Sequence, residues 1–454
     1  MSNTNPKPGK PFPSPARRVA FDILNRVEAE GAYASVLIAS LQESRLSRED
    51  RALAQELVLG VLRWQKSLDY FIERYSKRPI KRLDQQVLIA LRIGIYQLRH
   101  LTRIPHRAAV NESVNLIKSA GVRSASGMVN AVLRNAARHL DDGSGQSIED
   151  PMERAAAALS HPRWMLERWL SWFGEQEAHR LALANNQPPP IAFRANTLRN
   201  TADELLSSLE SKGVTVKSSA LVPGAFLIER GGIDEVIRAV EGGLLYIQDE
   251  ASQMVSLLLD VKRDQKILDL CAAPGSKTSH IAALAGDDCR VIACDLHHHR
   301  LVTLAEICNR LNVQSVAAVA LDATRELPFI ESAKDFDCVL IDAPCSGTGT
   351  LRRNPEIKWR LTSEQVSHLA GIQLNLITCA ARMLVRGGRL VYSTCSLERE
   401  ENEEVIKKFI EGGAPFRLIR PDTFSPLITG EGFVRTFPHI HAMDGFFAAV
   451  FEKL

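Results

Sequence analysis

The chain has 454 residues, 45% of them hydrophobic and 24% charged, with a formal net charge of +3. This is a soluble globular composition, and the length is too great for one ordinary core, so two or three domains are expected. No apolar run approaches a membrane span, and all eight cysteines lie between Cys271 and Cys395 with no Cys-x-x-Cys pair, which argues against a structural zinc site and a disulfide scaffold.

The start, "MSNTNPKPGKPFPSP", is Pro-rich and polar without an apolar stretch, so residues 1–15 read as a solvated, disordered tail rather than a secretion signal. A reducing cytoplasm is the simplest setting, and it suits a working thiol. Residues 16–140 read as helical throughout. "DRALAQELVLGVLRWQKSLDYFIERY" carries Leu53, Leu57, Val58, Val61, Leu62 and Trp64 at helical spacing, and "QQVLIALRIGIYQLRHL" and "GMVNAVLRNAARHL" repeat the pattern. Residues 1–140 hold 23 Lys and Arg against 11 Asp and Glu, or +12; the remainder holds 33 against 42, or −9. A basic module joined to an acidic one points to a polyanion handled by the first part.

"DDGSGQSIED", Asp141–Asp150, is acidic, polar and glycine-bearing, and reads as a linker. Residues 151–250 begin with helices, where Trp164, Leu166, Trp169, Leu170 and Phe173 form an expected core stripe, and "QPPP" at Gln187–Pro190 breaks them. Then "IAFRAN", "TADELLSSLESKG", "VTVKS", "AFLIE", "IDEVIRAV" and "LLYIQ" alternate in a β-α-β-β-α-β order, the split ferredoxin-like arrangement. Over residues 251–454 the rhythm is strand–helix. The strands "KILDLCA", "RVIACD", "SVAAVAL", "FDCVLID" and "RLVYSTC" are apolar, which indicates a doubly wound, mostly parallel α/β sheet. Ligands in such sheets bind beyond the carboxyl ends of the strands, and every chemical residue below lies at such an end.

"LDLCAAPGSKTSHI" is a strand, a tight turn of small residues and a helix, and Asp295 closes the next strand 20 residues past Gly275. An acid there can accept both ribose hydroxyls of an adenosyl ligand. The turn lacks the second glycine that lets a backbone approach a pyrophosphate, so Cys271, Ala272, Ala273, Pro274, Gly275, Ser276 and Lys277 suit an adenosyl group without phosphate. Asp322, after the following strand, can accept from an adenine amine. Each acid alone could be a helix cap; three after successive strands point to a site. The run His297–His299 is read as a polar helix start and not a metal site, since neighbours on a helix point apart.

Two thiols follow neighbouring strands: Cys345 in "IDAPCSGTG" and Cys395 in "LVYSTCSLE", 50 residues apart. Methyl transfer to an amine needs no nucleophilic thiol. Transfer to carbon 5 of a pyrimidine does, because that carbon becomes nucleophilic only after a thiolate has added at carbon 6. An acid or hydrogen bond at N3 assists the attack, and Asp342 is the candidate. Cys308, Cys338 and Cys379 sit in apolar patterns and read as small core residues.

The motifs "LDLCAAPGSKT", "DAPCSGTG" followed by "RRNPEIKW", "STCSLEREENE" and "DGFFAAVFEK" resemble the RsmB (Sun or Fmu) group of RNA 5-methylcytosine methyltransferases, within the Nol/Nop/Sun superfamily. "FRANTL" and "QDEASQ" match segments that precede the catalytic domain there, and "HRAAVNESVNLIK" with "GMVNAVLR" is similar to the NusB-like RNA-binding domain fused to that group. The resemblance implies a class I methyltransferase domain with a seven-stranded, Rossmann-like sheet at 251–454, a ferredoxin-like RNA-positioning region within 151–250, and a NusB-like domain at 16–140. It implies S-adenosylmethionine as cofactor, held by Cys271 through Lys277, Asp295, Asp322 and Asp342. It assigns the nucleophile to Cys395 and product release to Cys345, whereas DNA cytosine methyltransferases attack through their Pro-Cys thiol and lack "STCS". The implied substrate is one cytosine of 16S ribosomal RNA, cytosine 967 by resemblance, with RNA rather than DNA or membrane as partner and a monomeric enzyme. Action on transfer RNA, or a non-catalytic RNA-binding factor, are the alternatives. The chain departs from the family pattern at Ser276, where a second glycine is usual, and in "CDLHHHRL".

Overall fold

A computed structural model describes residues 13–325, 327 and 336–454. Most of the expected tail therefore lies outside the described residues. The chain forms two compact units: 1–188 together with Leu351–Arg360, and 189–350 together with 361–454.

The first unit is helical. It runs α1 (Pro15–Glu30), α2 (Ala34–Ala39), α3 (Arg48–Arg63), α4 (Gln65–Ser76), α5 (Gln85–His100), α6 (His106–Ser119), α7 (Ser126–Arg138), α8 (Pro151–Leu159) and α9 (Arg163–Asn185). Helix α5 is apolar on nearly all sides, and every residue from Val87 to Leu98 is buried, so it forms the axis around which the others pack. Asp84 starts it by accepting from the backbone N–H groups of Gln86 and Val87. Gly60 of α3 lies where a side chain would strike the Tyr96 ring 2.0 Å away, so the glycine sets the close approach of α3 to α5. Arg92, buried in α5, is satisfied by a bidentate pair with Asp69 at 2.7 and 2.8 Å. Within α9 the backbone at Gly174 is non-helical, with φ at 77°; of the expected stripe before it, Leu166 and Trp169 are buried, whereas Trp164, Leu170 and Phe173 are partly exposed.

The stretch Leu351–Arg360, distant in sequence, completes this unit. The Lys358 Nζ donates to the carbonyls of Arg63 and Ser160 and to Asn186 Oδ1 at 2.8–2.9 Å. Trp359 Nε1 donates to the Leu62 carbonyl, Arg360 donates to the carbonyls of Val27, Gly31 and Ala32, and Glu356 accepts from Ala34 N. Burial, with Arg63 nearby, pushes the Lys358 ammonium well below the ordinary lysine range, while three oxygens meet its three protons. Removing those donors leaves three acceptors unpaired in a dry setting. Lys358→Met is expected to cost about 3 kcal/mol, seen as a fall of about 6–12 °C in melting temperature. An unchanged melting temperature would show that water replaces the ammonium.

The second unit opens with β1 (Ala192–Ala195), α10 (Ala202–Ser211), β2 (Thr215–Ser218), β3 (Ala225–Arg230), α11 (Ile233–Glu241) and β4 (Leu245–Ile247). The strands form an antiparallel sheet in the order β2-β3-β1-β4, the ferredoxin-like arrangement that the alternation predicts. A capping box between Thr201 and Glu204 starts α10. Then follow α12 (Glu250–Leu258), β5 (Lys266–Asp269), α13 (Ser276–Leu284), β6 (Arg290–Asp295), α14 (His298–Leu311), β7 (Val316–Ala320), β8 (Phe336–Asp342), the short α15 (Ile357–Arg360) already described, α16 (Ser363–Ala381), β9 (Leu384–Thr394), α17 (Glu403–Glu411), β10 (Phe416–Ile419), β11 (Val434–Arg435), α18 (Pro438–His441) and β12 (Phe447–Lys453).

The main sheet has the order β10-β12-β9-β8-β5-β6-β7, with the two-residue β11 added beside β12. Strands β9, β8, β5, β6 and β7 are mutually parallel, and β12 pairs antiparallel with both β9 and β10. This is the mostly parallel, seven-strand sheet expected of a class I methyltransferase. The chain proceeds outward from β5 to β7 and then resumes on the other side at β8, so the topological switch lies between β5 and β8.

Candidate active site

The turn after β5 sits at that switch. It is fixed on both sides: Leu270 N donates to the Leu340 carbonyl on β8, and Ala272 N to the Cys294 carbonyl on β6. Gly275 closes the turn with φ at 105°, and a Cβ there would lie 2.9 Å from the Leu304 side chain, so only glycine fits. At the floor, Thr278 Oγ1 donates to Asp269 Oδ2 at 2.7 Å, while Asp269 Oδ1 is buried with no side-chain partner among the described residues. Burial, and after it the nearby Asp342, pushes Asp269 up to about 7. Burial, with Asp269 and Asp342 adding, likewise lifts the Cys271 thiol well above its usual range.

Asp295 ends β6, as expected. Its Oδ1 accepts from His297 N at 3.0 Å and its Oδ2 faces Arg300 at 3.3 Å. Arg300 also donates to the Ala273 carbonyl at 2.9 Å, so the unusual "HHHR" segment ties the acid to the turn. Asp322 accepts from the N–H and hydroxyl of Thr324 at 3.0 and 2.6 Å, pairs with Arg325, and is held below the usual carboxylate range by the Thr324 bonds. It thus acts as a local cap. His297 and His299 lie with ring centroids 5.6 Å apart.

Asp342 ends β8 opposite Ser393 of β9. Its Oδ2 accepts from Lys277 Nζ at 2.7 Å and its Oδ1 from Ser393 Oγ at 2.8 Å. Burial acts to lower the Lys277 ammonium, but Asp342 outweighs it and the net shift is upward. Just beyond, Cys345 and Cys395 face each other with sulfurs 3.4 Å apart, both free thiols. The hydrogen bond to Cys395 first, then burial, pushes the Cys345 thiol well above its ordinary value.

Beneath the two thiols lies a group of residues to which sequence reasoning assigned no role. Glu401 is fully buried and joins both cysteine loops. Its Oε1 accepts from Ser346 N at 2.8 Å and Gln373 Nε2 at 3.0 Å; its Oε2 accepts from the hydroxyls of Ser346 and Ser396. Ser346 and Ser396 each directly follow a cysteine. Asn402 accepts from Thr394 Oγ1 and donates to the Ser396 carbonyl, while Gly349 N donates to the Cys395 carbonyl at 2.9 Å. A Cβ on Gly349 would lie 1.8 Å from the Gly445 carbonyl, so a bare backbone is needed where three loops meet. The acids of "EREENE" carry part of the family resemblance, but which of them turns inward has no periodic signature.

Over 446 residues, 96% of this chain, it is 34% identical to the "Probable ribosomal RNA small subunit methyltransferase B" of Bacillus subtilis and covers 98% of that protein. The chain belongs to the RsmB/F family of 16S ribosomal RNA methyltransferases. The family model for 16S rRNA methyltransferase RsmB/F matches residues 256–452, a NusB family model matches 14–138, and the ferredoxin-like domain model of RsmF/B-like methyltransferases matches 161–233. The ribosomal RNA small subunit methyltransferase B of Escherichia coli O1:K1 / APEC is 33% identical over 437 residues, 96% of this chain and 98% of that one. Among solved structures, PH0851 covers 97% of this chain and 99% of its own, with a TM-score of 0.83 and 26% identity. A methyltransferase homolog protein from Pyrococcus horikoshii covers 67% of this chain and all of its own, at TM-score 0.58 and 30% identity.

The cofactor is S-adenosylmethionine, and the residues of the RsmB/F turn fit it. A turn without the second glycine that a pyrophosphate needs, a buried Asp269 oxygen with no side-chain partner among the described residues, and Asp295 at the end of β6 offer acceptors to a cationic ligand that carries ribose hydroxyls. Asp295→Ala is expected to weaken S-adenosylmethionine at least tenfold with the fold intact, because a hydrogen bond to a charged group is worth about 1.5–3 kcal/mol. Calorimetry showing equal affinity would remove Asp295 from the site. Among the described residues, no helix is long and apolar enough to cross a membrane.

Proposed function

We propose that this chain methylates carbon 5 of one cytosine in 16S ribosomal RNA, cytosine 967 by resemblance, through a covalent bond between Cys395 and carbon 6. The observation that carries the reading is the pair of thiols 3.4 Å apart beside the Asp342–Lys277 ion pair. S-adenosylmethionine supplies the methyl group on a sulfonium. Cys395 adds to carbon 6 as a thiolate, which makes carbon 5 nucleophilic. Asp342 faces N3, where a proton or hydrogen bond stabilises the adduct, and the Lys277 ammonium 2.7 Å behind it is the neighbouring proton store. Cys345 lies against the attacking sulfur at 3.4 Å, which places it to donate a hydrogen bond to Cys395 as that thiolate leaves carbon 6.

The cytosine must be flipped out or unpaired to reach this site, since carbon 6 is shielded in a stacked helix. The basic helical unit and the ferredoxin-like sheet hold the surrounding RNA, and RNA rather than DNA is the substrate in keeping with "STCS". Mapping 5-methylcytosine in total RNA from cells lacking the protein tests the assignment. A single small-subunit cytosine is expected to lose its methyl group. Loss from transfer RNA alone would move the substrate, and no loss anywhere would overturn the activity.

A further inference from the structure

One stretch of the helical unit carries positive charge with almost no acid beside it in sequence. Several cations elsewhere in that unit have acidic partners: Arg92 with Asp69, Arg18 with Asp22, Arg26 with Glu30, Lys66 with Glu153 and Arg74 with Asp142. Residues 101–140, which form α6, α7 and their connections, contain six Lys and Arg and a single acid, Glu112. That acid is already engaged, accepting from Ser14 N at 2.7 Å.

Between α6 and α7 lies a cavity of about 480 Å³ lined by His106, Arg107, Val110, Asn111, Arg134 and Ala137. Its size falls in the range of small-ligand pockets. The guanidiniums of Arg107 and Arg134 are exposed, come from different helices, and make no side-chain hydrogen bond or ion pair among the described residues. Asn111 and His106 add donors and acceptors at the rim, and Val110 and Ala137 give an apolar floor. The two segments "HRAAVNESVNLIK" and "GMVNAVLR", separate in sequence, thus supply opposite walls of one basic cleft.

The geometry points to this cleft as the site that grips the sugar-phosphate backbone of the substrate RNA, Arg107 and Arg134 each neutralising one phosphate. Two unpaired, planar cations facing one cavity match an anion that repeats along a chain, and Asn111 and His106 can bond a ribose 2′-hydroxyl beside it. This inference rests on the proposed RNA substrate and deepens it by locating the grip.

The test measures binding of a small-subunit ribosomal RNA transcript to the full chain across a series of salt concentrations. Point variants are used because Leu351–Arg360 packs inside the helical unit, so a truncation would unpack it. Arg107→Gln/Arg134→Gln is expected to bind at least tenfold more weakly and to flatten the slope of log affinity against log salt by about 1.4, or about 0.7 for each single-strand phosphate that is no longer neutralised. S-adenosylmethionine affinity, measured in parallel, is expected to be unchanged. The control, Arg18→Gln/Arg26→Gln, removes the same charge from exposed arginines already paired on α1 and is expected to leave the slope within error. If both double variants lose slope equally, net charge alone matters and the cleft is not the grip. If the first variant keeps the parent's steep slope, the cleft is likewise excluded. If the parent itself binds the transcript without salt dependence, it is the RNA reading that fails. Should the double variant fold poorly, Arg107→Gln alone carries the same test at half the slope change.

Discussion

Cys395→Ala is expected to abolish methylation and to form no covalent bond with RNA, whereas Cys345→Ala is expected to methylate once and then stall as a protein–RNA adduct that survives denaturation. The asymmetry follows from the order of the steps. On the proposed mechanism, without Cys395 nothing adds to carbon 6, and carbon 5 is never activated. Without Cys345 the addition and the methyl transfer proceed, but the step that expels Cys395 lacks its helper. The 3.4 Å separation of the two sulfurs makes this division of labour possible, because the second thiol lies against the atom that must leave. Denaturing gels with labelled RNA read the result directly. The Cys345→Ala adduct should appear only with S-adenosylmethionine and RNA both present. An adduct with Cys395→Ala and none with Cys345→Ala would reverse the assignment and make "DAPCSGTG" the attacking motif.

The second large effect is expected at Glu401, a fully buried residue that ties the two cysteine loops together. Its four donors come from both cysteine loops and from Gln373 of α16. Glu401→Ala strips the acceptors from all four in a fully buried place. At about 1–3 kcal/mol for each buried group left unpaired, a loss of several kcal/mol of stability is expected, enough to threaten the fold. Glu401→Gln is the informative variant: it keeps the shape and one acceptor, and the serine hydroxyls can rotate to accept from the new amide. For it a fall of about tenfold or more in kcat is expected with little change in S-adenosylmethionine affinity, because a small misplacement of two thiols slows attack without touching the cofactor turn. Kinetics together with calorimetry check this. A parallel loss of cofactor affinity, or an unchanged kcat, would show that the two loops are held by other interactions.

The residues of the β-strand ends were legible from order alone. Strand patterns ending in Asp295, Asp342 and Cys395 need only the rule that a parallel sheet presents its carboxyl edge to ligands, and the structure places all three at such ends. The split β-α-β-β-α-β order and the central parallel strands were equally readable, because apolar alternation and turn chemistry are local. By itself the sequence determined where the elements begin and which residue types stand at the ends of the strands. Three things were decided only by tertiary structure. Asp322 could be seen as an acid after β7, but its capping of Thr324 depends on how the turn folds. "RRNPEIKW" reads as part of the catalytic segment, yet Leu351–Arg360 completes the helical unit, since Lys358 finds its three oxygens on residues 63, 160 and 186. Glu401 shares its charge between loops that are 50 residues apart. Periodicity reports which face of an element is apolar; it carries no information on which distant polar partner a buried charge meets, because that choice is made by the packing of whole elements and the need to satisfy every buried polar group.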